Sequence, residues 1–228
     1  MAKESYFTPA LFTFLKELAA NNNRDWFNDN KGRYEGHVKD PALRFIADFA
    51  PRLKKISPHF RADPRANGGS MFRIYRDTRF SKDKTPYKPF TGIQFRHELG
   101  KSAHAPGFYL HLQPGEVFAA VGSWHPESDV LRKVREAIAE DSAAWRRATG
   151  TKFANTFSLE GESLQRPPKG FDPEHSQIED LKRKDFIGVT RLSQKAVTST
   201  GFAEELAGTF KKGGSLVRFI CRAIDVPY

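Results

Sequence analysis

Six cations, two carboxylates and two tyrosines fall within seventeen residues, 72–88, with the sequence FRIYRDTRFSKDKTPYK. Guanidinium groups grip phosphate or carboxylate through paired N–H donors, and they do so best when a neighbouring carboxylate fixes the fork. Alternation along an extended strand over 72–77 places Phe72, Ile74 and Arg76 on one face and Arg73, Tyr75 and Asp77 on the other. With the apolar face turned to a core, Asp77 and Tyr75 are set to orient Arg73. Arg79, Lys82, Lys84, Tyr87 and Lys88 follow on the loop. Two aspartates cannot offset six cations, so the pattern points to an anionic ligand: a phosphate-bearing small molecule or a nucleic acid. The plain alternative is an exposed hairpin with solvated charges, in which each surface ion pair contributes about 0–1 kcal/mol.

The same residues admit an enzyme reading, with a small phosphorylated or carboxylated substrate. Asp77 or His111 would then be the general base, Tyr87 or Lys84 the general acid, and the arginines would meet developing negative charge. A third reading docks the charged loop on an acidic partner surface. Trp124, between Gly122 and His125 at a strand end, is a stacking candidate for a base or sugar. The seven histidines show no HxxxH or HExxH spacing and there is no CxxC. His111 and His125 could converge on neighbouring strands beside Asp77 or Glu116, but the spacing supports no metal site. No phosphate-cradling or dinucleotide-binding glycine pattern occurs, and no cofactor is expected.

The elements that must carry these residues follow from periodicity. Thr8-Pro9 starts a helix bearing Leu11, Phe14, Leu15 and Leu18, and Asn23 caps a second. Asp40-Pro41 caps a third, whose stripe of Leu43, Ile46, Phe49, Leu53 and Ile56 should be kinked or divided by Pro51. Residues 57–70 read as loop. Segments 91–96, 108–113 and 117–121 alternate as strands, the last two forming a hairpin through Pro114-Gly115. Pro126 opens a helix that reaches Gly150. Glu160-Gly161 makes a small hairpin, 185–190 a strand, and 202–210 a helix that breaks at Gly213-Gly214 before a last apolar segment, 216–224. The reading is α+β: an antiparallel sheet of four or more strands covered by N-terminal and C-terminal helices, in one domain over 1–228.

With 228 residues, 39% of them hydrophobic and 20 of them Phe, the chain can bury a large aromatic core. Its formal charge of +10 favours polyanionic partners. The lone cysteine, Cys221, excludes an intrachain disulfide and reads as a small buried hydrophobe. The opening MAKESYFTPALFTFL lacks the apolar run and cleavage site of a signal peptide, and no stretch is long enough to span a bilayer, so a cytoplasmic location without membrane contact is expected. Oligomeric state is left open.

The run FRIYRDTRFSKDKTPYK resembles the signature of a bacterial and fungal family known as domain of unknown function 2461. LFTFLKELAANNNRDWFNDNKGRYE, PGFYLHLQPGEVFAAVGSWHP and PPKGFDPEHSQIEDLKRKDFIG are similar to the same family in the same order, so the likeness covers nearly the whole chain. It departs at Pro89-Phe90, where the family pattern runs from PYK into polar residues. The resemblance implies a cytosolic single-domain protein with no settled activity, and it carries over no catalytic residues.

Overall fold

The computed structural model describes residues 5–79, 81–100 and 105–228; Phe80, inside the basic stretch, lies outside them. The helices are α1 (Pro9–Ala20), α2 (Arg24–Asp29), α3 (Lys31–Tyr34), α4 (Asp40–Ile56), α5 (Ser128–Glu140), α6 (Ser142–Thr149), α7 (Thr151–Ala154), α8 (Ile178–Leu181), α9 (Gln194–Val197) and α10 (Phe202–Ala223). The strands are β1 (Thr91–Arg96), β2 (Gly107–Gln113), β3 (Glu116–Ser123), β4 (Ser158–Glu160) and β5 (Phe186–Arg191). They form one sheet in the order β1-β2-β3-β5-β4, with every pairing antiparallel. The protein is therefore α+β, with helices at both ends of the chain around an antiparallel sheet.

One face of the sheet is the core. Phe95 from β1, Phe108 and Leu110 from β2, Ala119 from β3 and Phe186 from β5 are all fully buried. Against them lie α4 and α10: Phe49 stacks on Phe95 with ring centres 4.9 Å apart, and Phe210 meets Phe108 at 5.1 Å. Leu11, Phe14, Leu15 and Leu18 of α1 are buried as their spacing predicts. Asn23 caps α2, its side-chain oxygen accepting from the Trp26 N–H at 2.9 Å.

Four local expectations are corrected. Asp40 does not cap a new helix, because a π turn, Glu35–Lys39, carries α3 directly into α4. Pro41 lacks the N–H that would bond back one turn, and the wider turn absorbs that loss. Pro51 stands inside α4 and does not divide it, since the helix continues past it to Ile56. The helix from 126 is two helices, separated at Asp141, whose side chain caps α6 through the Ala144 N–H at 2.8 Å. Residues 157–164 form no hairpin of their own: β4 pairs with β5, and Ser163 bridges to Arg183.

The C-terminal helix shows most clearly how packing overrides local preference. Gly213 and Gly214 do not break it; α10 is continuous for 22 residues. A Cβ on Gly213 would stand 2.7 Å from Val121 Cγ2 and 3.0 Å from the Phe157 ring. The glycine is there to let the helix lie on β3, and burial of the long apolar face outweighs the ~1 kcal/mol propensity cost. Cys221 is buried in the same helix, and burial pushes its thiol up to about 12.

Candidate functional site

The basic stretch is a ribbon rather than a strand. Met71 bridges to Ile93 and Tyr75 to Tyr87, with Arg76 N–H donating to the Pro86 carbonyl at 2.9 Å and Lys88 N–H to that of Ile74 at 2.7 Å. The continuous strand predicted over 72–77 does not form. Pro86 and Pro89 on the facing arm have no N–H to donate, so pairing is confined to isolated bridges. The alternation of faces survives: Ile74 is buried, while Arg73, Tyr75 and Asp77 are exposed.

The charges on this ribbon are arranged differently from the expectation. Asp77 does not hold Arg73. It accepts from Arg79 Nε at 3.0 Å and Nη2 at 2.7 Å, and from the Arg79 backbone N–H at 3.2 Å. Those side-chain bonds to Arg79, before any other cause, hold its carboxyl down at about 2. Asp83 accepts from the Thr85 N–H and hydroxyl, which keep its carboxyl low, and pairs with Arg76 at 2.9 Å. Lys84 donates to the Thr78 carbonyl at 2.8 Å. Arg73 and Lys82 are exposed and make no ion pair among the described residues. Tyr87 is buried, stacked on Phe27 at 4.1 Å, and locked by two backbone bonds with the Asn22 side chain. Tyr75 is 59% exposed at the edge of that cluster. A polar cleft of about 310 Å³ between the ribbon and α2 is lined by Arg24, Asn28, Tyr75 and Arg76.

Lys88 points elsewhere. It is half-buried at the rim of a second, larger cavity of about 550 Å³ that opens on the face of the sheet opposite the core. Period-two alternation and antiparallel register generate this surface. Gln94, Tyr109, Ala120 and Val189 stand side by side across four strands, and Gly107, Gly122 and Ile187 form the next row. Gly122 has φ 114, and a Cβ there would collide with the Phe186 carbonyl. The backbone thus demands a residue without a side chain, which lowers the floor at that end. Phe72 and Phe90 wall one side, and Trp124, 53% exposed, stands among the lining residues.

His111 lies on the same face of β2 as Tyr109, two residues along the strand. Phe90 and Phe118 cover its ring at 4.6 and 4.7 Å. Its Nδ1 is 3.0 Å from the Tyr109 hydroxyl and its Nε2 is 3.3 Å from Gln113 Oε1. Burial is the main cause that lowers its pKa, so the ring is neutral, accepting a hydrogen bond from the Tyr109 hydroxyl at Nδ1 and donating one from Nε2 to Gln113. Burial also raises the Tyr109 hydroxyl well above its ordinary value. Lys88 Nζ donates to the Arg73 carbonyl at 3.2 Å and sits 5.7 Å above the Phe72 ring. Burial first, then Arg73 and Arg76, pull its pKa down. At the opposite rim Arg191 lies over Phe118 and pairs with Glu160 at 3.2 Å and Glu116 at 3.7 Å.

The structure does not assemble the Asp77–His111 enzyme site: Asp77 is bound to Arg79 on the exposed ribbon and His111 is closed in by rings. Nor do His111 and His125 converge. His125 pairs instead with Asp185, Nδ1 to Oδ1 3.0 Å, across sixty residues of sequence. Arg191 and the row Tyr109–Ala120–Val189 line the cavity and were passed over by sequence reasoning; the strand alternation held the only signal for that row. Among the described residues no group of three or more His, Cys, Asp or Glu is placed to hold a metal ion, and no helix is long and apolar enough to cross a membrane.

The chain matches the model of the family described as conserved hypothetical protein (DUF2461) over residues 10–219, and it belongs to that family. No curated protein matches it.

Proposed function

We propose that this member of the DUF2461 family binds a small ligand with a flat apolar body and an anionic group, in the cavity on the open face of the sheet. One observation carries the reading. A rigid sheet face is hollowed to about 550 Å³ by small residues, walled by aromatic rings, and bordered by a half-buried ammonium, Lys88, with no carboxylate partner among the described residues. Cavities of roughly 300–1,000 Å³ that are mostly apolar with a few placed polar groups are the usual form of small-molecule sites. Lys88 meets the anion, and the ligand body lies over Ala120 and Val189 between Phe72 and Trp124. Aromatic faces stack on a planar body, and the anion relieves the cost of holding a charged amine out of water.

The test is a fluorescence titration with two probes of the same shape: 1-anilinonaphthalene-8-sulfonate, which is anionic, and N-phenyl-1-naphthylamine, which is neutral. Ala120→Trp fills the floor and should weaken both probes by more than about tenfold, the loss of ~1.4 kcal/mol or more of contact. Lys88→Gln should weaken the sulfonate probe about tenfold, as expected for one charge-assisted contact, and leave the neutral probe unchanged. Equal binding by wild type and Ala120→Trp would refute the site. Tight binding of mixed-sequence DNA or RNA that falls steeply with salt and is lost with Arg73→Ala and Lys82→Ala would move the site to the ribbon instead.

A further inference from the structure

We propose that the ligand of this cavity is a dipolar ion, a flat aromatic body with an anionic group at one end and a protonated amine at the other. The inference rests on the cavity being the binding site and names the class of compound that it selects. The charges bordering the cavity are separated by sign. Lys88 Nζ lies over the Phe72 ring, and the Phe72 N–H donates to the Gly92 carbonyl of β1 at 2.9 Å, so this ammonium belongs to the β1 side. No carboxylate pairs with it among the described residues; after burial, the groups that lower its pKa are two cations, Arg73 and Arg76. Glu116, Glu160 and Arg191 line the cavity from β3, β4 and β5. In the order β1-β2-β3-β5-β4 these three stand across the sheet from Lys88.

The far rim holds one more carboxylate than it can offset. Arg191 is laid on the Phe118 ring at 5.3 Å, with Nη2 donating to Glu160 at 3.2 Å and Nη1 3.7 Å from Glu116. One guanidinium charge cannot match two carboxylates, and the Glu116 side chain accepts no hydrogen bond among the described residues. Its charge reaches the cavity floor: burial first, and then Glu116, raise the Tyr109 hydroxyl. A spare negative charge on one side and an unmatched ammonium on the other suit a ligand that carries both signs, and they fix which way round it lies. From the β1 side to β3 is two strand spacings, about 10 Å. An α-amino acid, with both charges on one carbon, cannot reach both ends. The three rim side chains are 40–59% exposed, so water screens them and the preference they impose is modest.

The experiment displaces bound 1-anilinonaphthalene-8-sulfonate at neutral pH with two naphthoates of equal length. One, 6-(aminomethyl)-2-naphthoate, is dipolar; the other, 6-ethyl-2-naphthoate, is only anionic. Wild type should bind the amine about fivefold more tightly than the ethyl compound, the upper range for a screened ion contact. Glu116→Gln with Glu160→Gln should abolish that preference while the ethyl compound still binds, a sign that the cavity is intact. If the double variant fails to fold, Glu116→Gln alone decides, and it should reduce the preference. Arg191→Gln leaves both carboxylates unmatched and should raise it. Equal binding of the two compounds by wild type, displacement of the probe by neither, a preference unchanged without the carboxylates, or a preference that falls in Arg191→Gln overturns the proposal. Each of these leaves the cavity reading standing as long as the sulfonate probe binds. Failure of wild type to bind the probe would defeat the cavity reading itself, and this inference with it.

Discussion

The basic ribbon and the open face of the sheet divide the chemistry of this protein unequally. The ribbon carries six cations in seventeen residues, but two of its arginines are matched to aspartates of the same ribbon and Lys84 is spent on a backbone carbonyl. Its Arg79–Asp77 pair is exposed, its Arg76–Asp83 pair is half-exposed, and its backbone is held at isolated bridges. The sheet face carries few charges: Glu116, Glu160 and Arg191 sit on paired strands and border an apolar floor. A high density of charge marks where electrostatics is visible in a sequence; enclosure on a rigid support is what makes a charge selective. Lys88 belongs to both regions, and it is where the ribbon contributes to the cavity.

The comparison breaks first if the sheet is disturbed. Gly213→Leu should force α10 away from Val121 and destabilise the protein by about 3 kcal/mol, with loss of probe binding, because overpacking a close helix–sheet contact has no cheap relaxation. A smaller effect separates Lys88 from the other cations. Its pKa lies below the ordinary 10.5, so affinity for the anionic probe should be full at neutral pH and fall as pH rises through that lowered value. Lys88→Arg, charged throughout, should remove this pH dependence. Smaller still, Arg76→Gln with Arg79→Gln should leave the cavity's affinity for both probes intact, because both pairs lie on the ribbon. The least effect is local. Asp77 should titrate at about 2 in wild type and rise toward the ordinary value in Arg79→Gln, measured by carboxyl NMR. The depressed value means that the contribution of this pair is present above the ordinary pKa and is lost as pH falls through about 2. A titration of Asp77 near 3.8 in wild type would show that Arg79 does not hold it.

Much of the fold was legible because short-range rules governed it. The spacing of Leu11, Phe14, Leu15 and Leu18, the Asn23 cap and the Pro114-Gly115 turn are local facts, and the antiparallel sheet with flanking helices followed from them. Gly213 was misread because a glycine pair signals a break by propensity, whereas its reason here is a side chain on β3 that no local window contains. The same holds for Pro41 and Pro51, which helix continuity absorbed. At the site, the charges of the ribbon were plain, but their pairing was not. Asp77 lies two residues from Arg79 and four from Arg73, and the turn that selects Arg79 depends on backbone geometry that alternation ignores. The cavity was hidden for a deeper reason: Gln94, Tyr109, Ala120 and Val189 become neighbours only through the register of four strands. Asp185 and His125 are likewise joined by the fold and not by sequence.

The most direct test of the central claim is a crystal structure of the protein with 1-anilinonaphthalene-8-sulfonate bound. The naphthalene should lie over Ala120 and Val189, beside Trp124, with the sulfonate on Lys88. A probe found instead in the polar cleft by Arg24 and Arg76, with the sheet cavity empty, would contradict the account.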